Sequence, residues 1–181
     1  MGNALRLRGG PRWCLGVVLI ASVVTTEGLA VESAPHASPP DIACQLAIPA
    51  RLSRRQSAVL SLSVHNRSQQ TLHLLKRNTP FEGWLADSLS VEHEGQPVPY
   101  SGVMVKRMPP TASEYLHLNP GASRRYRVSL QAAYDVSRPG TYRVQWRGEL
   151  MDAFFGTGPP NLDGLTAQTI ACPAVSFLRT S

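Results

Sequence analysis

The sequence predicts an all-β fold, an immunoglobulin-like β-sandwich of about seven to nine strands that follows a cleaved signal peptide. Short segments of alternating apolar and polar residues recur about every ten residues from position 57 onward. No longer segment shows the 3.6-residue period of an amphipathic helix. Prolines stand at segment ends, where turns and edge strands tolerate them; these are Pro97, Pro99, Pro109 and Pro120.

The first 30 residues have the composition of a secretory signal peptide. Arg6, Arg8 and Arg12 precede an apolar run at 13–24, and small residues follow at the two positions that a signal peptidase reads, Gly28 and Ala30. The run is shorter than the roughly 20 residues that a membrane span needs, which leaves an uncleaved anchor helix as the less favoured alternative. We therefore expect an exported protein, secreted or periplasmic, with no membrane association after cleavage.

The mature chain is expected to hold one domain. Residues 31–42 are rich in Pro, Ala and Ser and are typical of a flexible linker, so the predicted domain spans 43–181. Removing the three Arg and one Glu of the signal peptide lowers the net charge from +6 to +4. The remaining basic residues are scattered in pairs without interleaved aromatics, which argues against nucleic acid as a partner.

The predicted strands follow one another between turn residues. In the segment at 57–66, Leu60, Leu62 and Val64 fall on one face. Later segments repeat this pattern with Tyr126, Val128 and Leu130, and then with Tyr142, Val144 and Trp146. The remaining strand-like segments are 71–77, 87–100 with a turn at 94–96, 101–108, 114–121 with a turn at 119–121, and 166–178.

Tyr142 stands near the start of a late strand in "YDVSRPGTYRVQW". In immunoglobulin-like folds a tyrosine at this place hydrogen-bonds back to the backbone of the preceding turn, which Gly140 would supply here. The alternative is that Tyr142 only fills the core.

Two cysteines remain after signal cleavage, Cys44 near the start of the domain and Cys172 near its end. In an oxidising compartment such a pair is expected to form one disulfide, closing a loop of 129 residues. A metal or nucleophile role would require a nearby histidine, and none is close in sequence.

No catalytic or metal-binding motif is present in the sequence. His93 and Glu94 begin like H-E-x-x-H, but Gly and Pro follow and the second histidine is missing. There is no G-x-S-x-G motif, and the Gly-rich stretch at 154–164 lacks the spacing of a phosphate-binding loop. We expect no metal, no cofactor and no catalytic residue. Asn66 begins a glycosylation sequon, which matters only in a host that glycosylates secreted proteins.

Three stretches resemble the N-terminal pro-region of bacterial secreted metallopeptidases of the deuterolysin (aspzincin) type. They are "NTPFEG", "VPYSGVMVKR" and "YDVSRPGTY", and the similarity runs from about 57 to 146. The resemblance implies an immunoglobulin-like pro-domain that assists folding of a zinc peptidase and keeps it inactive. The family's catalytic motif H-E-x-x-H is missing from this sequence, so the resemblance implies the domain without the enzyme.

Three hypotheses follow, with a secreted zinc metallopeptidase as the partner implied by the first. The protein is a free-standing inhibitor or folding helper of such a peptidase. Alternatively it is a secreted immunoglobulin-like binding module with no peptidase link, or a truncated and inactive peptidase. The sequence does not predict an oligomeric state.

The candidate partner-binding residues lie in two loops and are Asn78, Thr79, Pro80, Phe81, Glu82, Trp84, Lys106 and Arg107. Projecting aromatics at 81 and 84 would form a contact patch, whereas aromatics folded onto the sandwich would be structural. Glu82 could face a partner's zinc or be a solvated carboxylate. Lys106 and Arg107 could enter a protease cleft like a substrate, or be an ordinary surface pair.

Overall fold

The computed structural model describes residues 41–181, so the predicted signal peptide and nearly all of the predicted linker lie outside it. The described chain forms thirteen strands and three short 3₁₀ helices, with no α-helix among these residues. The 3₁₀ helices are Pro80–Glu82, Ala112–Glu114 and Leu130–Ala132. The strands are β1 (Ile42–Ala47), β2 (Arg51–Leu52), β3 (Val59–Asn66), β4 (Leu72–Leu75), β5 (Leu89–His93), β6 (Gln96–Pro97), β7 (Tyr115–Leu118), β8 (Ser123–Ser129), β9 (Gly140–Trp146), β10 (Glu149–Leu150), β11 (Ala153–Phe155), β12 (Gln168–Thr169) and β13 (Val175–Arg179).

The predicted all-β, immunoglobulin-like sandwich is confirmed. Eight of the thirteen strands have four or more residues, which matches the expected number. Three strands lie outside every predicted segment, β1 and the shorter β2 and β11. Two- and three-residue strands carry too few alternating positions to be recognised by periodicity. Within residues 41–181, no helix has both the length and the apolar character needed to cross a membrane.

The first layer of the sandwich is the antiparallel sheet β1-β3-β8. Alternation along β3 places Leu60, Leu62 and Val64 in the core with no exposed surface, as the sequence predicts. Beyond Asn66 the ladder is interrupted and resumes as a second antiparallel sheet, β11-β4-β7. All four residues of β4, the central strand of that sheet, are buried, so both of its faces are covered.

Asn66 lies at this interruption and is itself buried. Its side-chain amide donates hydrogen bonds to the carbonyl oxygens of Gln70, at 2.7 Å, and Leu118, at 2.9 Å. The amide nitrogen that a glycan would occupy is therefore already used inside the folded domain.

The second layer is the sheet β2-β13-β9-β5-β6. The short strand β2 runs parallel to β13, and the other pairs are antiparallel. Tyr142, Val144 and Trp146 of β9 face the core, each at most 1% exposed. The inner faces of both layers belong to one continuous apolar cluster, so the two sheets bury each other.

Two predicted local features are confirmed in this layer. The hydroxyl of Tyr142 donates a 3.0 Å hydrogen bond to the carbonyl oxygen of Arg138, so this tyrosine ties its own turn back to the strand. The hairpin between β5 and β6 turns on Glu94 and Gly95, both with positive φ (48° and 76°). Such a turn matches the twist of the two strands, and Gln96 already pairs with His93 instead of belonging to the turn.

The disulfide between Cys44 and Cys172 is confirmed, with the sulfur atoms 2.04 Å apart. Cys44 lies in β1 at the edge of the first layer, and Cys172 lies in the segment that leads into β13 of the second. The bond therefore joins the two layers near the two ends of the domain.

Two strand predictions need correction. The segment 101–108 contains no strand and follows an irregular path over the surface. Tyr126 of β8 was expected in the core beside Val128, but its side chain is 42% exposed. Tyr126 pairs with Leu62 and so has the inward parity, and its ring lies beside that of Phe81 in the loop after β4.

Candidate functional site

The loop after β4 is shaped by local hydrogen bonds. Thr79 caps the 3₁₀ helix: its hydroxyl donates to the carbonyl oxygen of Lys76, at 2.6 Å, and accepts from the Phe81 amide, at 3.1 Å. Pro80 is the first residue of that helix, where its fixed φ fits and no amide is needed. Asn78 has a φ of 58°, a conformation that asparagine tolerates better than most residues. Thr79 and Pro80 are buried, so they shape the loop and offer little surface.

The two aromatic side chains of this loop are folded onto the domain. Phe81 is only 8% exposed, belongs to the core cluster, and has its ring centre 6.3 Å from that of Tyr126. Trp84 is half-buried and its indole nitrogen donates to the carbonyl oxygen of Ser129, at 2.9 Å. The structural alternative therefore holds for both rings, and the predicted contact patch of projecting aromatics does not form.

Asp87 fixes the end of the same loop. One of its carboxylate oxygens accepts a 2.6 Å hydrogen bond from the hydroxyl of Tyr134, whose ring meets Trp84 edge-on at 5.6 Å. The other oxygen forms an ion pair with Arg147 at 2.9 Å. Burial, together with the hydrogen bond to Asp87, raises the pKa of Tyr134 well above its usual value, so this hydroxyl stays protonated as a donor.

Glu82 is not a solvated carboxylate, because its side chain is paired inside the domain. Its Oε1 atom accepts from the amide of Asn78, at 2.8 Å, and from the guanidinium of Arg107, at 2.5 Å. The side chain of Glu82 is only 10% exposed. Because both bonds lie inside the domain, Glu82 joins the loop after β4 to the segment that contains Arg107.

That segment, residues 103–108, is the most exposed apolar part of the described surface, and we call it the strap. Met104 and Met108 are 77% and 78% exposed, and Lys106 between them is also exposed. Val105 and Arg107 are turned further toward the domain. From Met104 to Met108 exposure alternates as side chains of an extended chain do, so this part of the strap presents one outward row, Met104, Lys106 and Met108. Val103, at the start of the strap, is 59% exposed as well.

Backbone and side-chain hydrogen bonds fix the strap along its length. The hydroxyl of Tyr100 donates to the carbonyl oxygen of Val103 at 2.8 Å. The amide of Val105 donates to the carbonyl oxygen of Leu85 at 3.4 Å, a long and therefore weak bond. The ion pair between Arg107 and Glu82 holds the middle. The strap is thus irregular in structure but attached to the domain at several points.

Arg77 holds the end of the strap. This buried guanidinium donates to the carbonyl oxygens of Met108, at 2.6 Å, and Pro109, at 3.3 Å. It also forms a two-point ion pair with Glu114, at 2.9 and 2.8 Å. The hydrogen bonds from Arg77 lower the pKa of Glu114 to about 2, so the pair is fully charged at neutral pH.

The structure therefore divides the candidate residues into two groups. Asn78, Thr79, Pro80, Phe81, Glu82 and Trp84 build the loop, and Arg107 is tied to it. Lys106 alone among them projects into solvent. Sequence reasoning missed Met104, Met108 and Arg77. For the two methionines a signal was available in the run "VMVKRM", which contains adjacent apolar residues and is followed by Pro-Pro.

A histidine pair lies in the sheet β11-β4-β7. The Nδ1 atoms of His73 in β4 and His117 in β7 are 2.8 Å apart, and the ring of His73 stacks on Phe154. Residues 41–181 contain no group of three or more His, Cys, Asp or Glu residues that could hold a metal ion.

Comparison with known proteins gives two kinds of similarity, and no family model matches the sequence. The chain is 29% identical over 107 residues to an extracellular protease of Aeromonas hydrophila, covering 57% of this chain and 31% of that protein. It is 28% identical over 103 residues to a probable neutral protease 2 homolog A of Trichophyton rubrum, covering 56% and 29%. The chain thus matches about a third of the length of these relatives.

The similar solved structures include the CARDB domain of a Pyrococcus furiosus protein in complex with di-metal ions, at a TM-score of 0.34 and 10% identity. That match covers 77% of this chain and 92% of the other. A β-glucosidase of Listeria innocua in complex with glucose matches at a TM-score of 0.33 and 11% identity, over 77% of this chain and 16% of the enzyme. By sequence, more than half of this chain is similar to part of each of the two proteases.

Proposed function

We propose that the mature protein is an exported, non-catalytic, pro-domain-like module that binds a secreted zinc metallopeptidase and inhibits it or assists its folding. The observation that carries this proposal is the sequence similarity to two proteases over just over 100 residues, which is less than a third of either relative. The H-E-x-x-H motif, which a zinc peptidase uses for catalysis, is missing from this sequence.

The physical requirements of binding in trans support the same proposal. A free module lacks the high effective concentration that covalent linkage to a peptidase would give. It therefore benefits from a contact surface that is ordered before binding, because less conformational entropy is then lost. The strap, exposed and attached at several points, has these properties.

The test is an inhibition assay with the chain from about residue 31. Two enzyme sources are used: the secreted metallopeptidase activity of the protein's own host and the mature Aeromonas hydrophila extracellular protease, both assayed on casein. We expect the protein to slow at least one of them and to hydrolyse no casein by itself.

A refolding assay covers the second half of the proposal. The denatured peptidases are diluted with and without the protein, and a helper would raise the recovered activity. If the protein neither slows nor helps refold either enzyme, the proposal fails and the binding module with no peptidase link becomes the better hypothesis.

A further inference from the structure

We infer that the strap is the segment that enters the substrate cleft of the peptidase, lying there as an extended, substrate-like chain. This inference rests on the proposed function and adds to it the surface used and the manner of binding. The occupant to which it commits is a peptidase cleft with apolar pockets for Met104 and Met108.

The exposed apolar surface is concentrated on the strap. Nine large apolar side chains are exposed among the described residues, and four of them belong to these six positions: Val103, Met104, Val105 and Met108. Leu85, whose carbonyl accepts from the strap, is a fifth. Contiguous exposed apolar residues are uncommon on soluble proteins and mark interaction sites, whereas single ones need no explanation.

The outward row also has the spacing of a bound peptide. A peptide that adds a strand to a sheet edge gains affinity from its main chain and specificity from every second side chain. Met104, Lys106 and Met108 supply side chains at that spacing. Methionine is unbranched and adapts to irregular pockets, so two of them suit a cleft that accepts varied substrates.

The backbone of the strap retains unused hydrogen-bonding groups. Within residues 41–181, no hydrogen bond involves the backbone of Met104 or Lys106. Val103, Val105 and Met108 use one backbone group each for attachment to the domain. The strap is thus held through one set of groups, while another set stays available to pair with a partner's strand.

The attachment points order the strap before it binds, so binding requires no further ordering of this segment. The ion pair to Glu82 and the two carbonyl contacts of Arg77 hold the middle and the end of the strap. A segment already held in its bound conformation loses less entropy on binding than a free peptide of the same sequence.

The experiment measures inhibition constants on whichever of the two enzymes the wild type slows. The double substitution Met104→Asp with Met108→Asp puts charge at both outward apolar positions. We expect the inhibition constant to rise at least tenfold, equivalent to about 1.4 kcal/mol. Both positions are more than three-quarters exposed, so the melting temperature should stay nearly unchanged.

The matched control is Leu162→Asp with Leu165→Asp, which places two charges on exposed apolar residues of another irregular segment. We expect no change in inhibition. A second strap variant, Lys106→Glu, alters the outward row without touching an apolar residue, so it reports on the strap even if the first variant folds poorly. Inhibition by the wild type should be competitive with casein, because both would occupy one cleft.

The outcomes separate the two proposals. If the wild type inhibits but both strap variants inhibit equally well, or if inhibition is not competitive, the strap inference is overturned and the proposed function stands. If the wild type slows neither enzyme, the inhibitory function fails and the strap inference fails with it.

Discussion

Phe81 shows how a residue in an irregular loop becomes part of a core. The two sheets leave Tyr126, in the middle of β8, partly uncovered, since its side chain is 42% exposed. The capped 3₁₀ turn of Thr79 and Pro80 directs the Phe81 ring to this side chain. Sequence alternation could not show this, because the loop has no period and its contact lies 45 positions away.

The first prediction is that Phe81→Ala lowers the free energy of unfolding by about 3 kcal/mol, since truncating a buried aromatic loses apolar burial and leaves a cavity. A projecting ring, one of the two alternatives that the sequence leaves open, could be removed with thermal stability nearly unchanged. Phe81 instead belongs to the core cluster, so its removal destabilises the domain.

Urea denaturation measures this change, and Met104→Ala is the control, because a 77% exposed side chain should alter stability by less than about 0.5 kcal/mol. A loss below about 1 kcal/mol for Phe81→Ala would show that the ring does not pack as described.

At the scale of the element, the strap shows which part of the site sequence reasoning could reach. The run "VMVKRM" predicted a strand, but the chain there is irregular, although its exposure alternates from Met104 to Met108. It joins no sheet, because its partners are the buried guanidinium of Arg77, 31 positions from Met108, and the carboxylate of Glu82, 25 positions from Arg107. Pairings over such distances follow from the fold and not from local pattern.

The second prediction uses the ion pair of Arg77 with Glu114. Folding lowers the pKa of Glu114 from 4.5 to about 2. The ion pair therefore stabilises the folded domain fully above pH 4.5, and this contribution is lost as the pH falls from 4.5 toward 2. The carboxylate is 32% exposed, so solvent screening reduces the effect to about 1 kcal/mol between pH 6 and pH 3.

Glu114→Gln serves as the comparison for this measurement, since its amide does not titrate. Urea denaturation of both proteins at pH 6 and pH 3 should show the stability advantage of the wild type shrinking at pH 3. An advantage that stays constant or grows on acidification would contradict the pairing.

For the whole molecule, the sequence predicted the layers better than it predicted the surface. Alternation placed the core residues of β3 and β9, the tyrosine turn and the disulfide correctly, because each depends on period or on a recognisable residue type. The strands β4 and β7 were predicted, but the break at Asn66 and the assembly of β11-β4-β7 into a separate sheet were not, since local alternation does not show which distant strands pair.

The last prediction concerns the disulfide, which closes a loop that contains nearly the whole domain. Its two cysteines are 128 positions apart in the sequence. A loop of this length restricts the unfolded chain by roughly 4 to 5 kcal/mol in the chain-entropy model. The double substitution Cys44→Ala with Cys172→Ala should therefore lower the free energy of unfolding by about 4 kcal/mol. Alanine is chosen because Cys172 is buried, and a hydroxyl there would add a polar group without a known partner.

The measurement is urea denaturation of the oxidised wild type and of the double variant, with the reduced wild type as the matched control. The reduced protein and the variant should agree, because both lack the bond and differ only by two sulfur atoms. If the free energy of unfolding of the variant fell by less than about 1 kcal/mol, the disulfide would not stabilise the domain by restricting the unfolded chain. A small domain with a continuous apolar core would then owe its stability to the packing of its two layers alone.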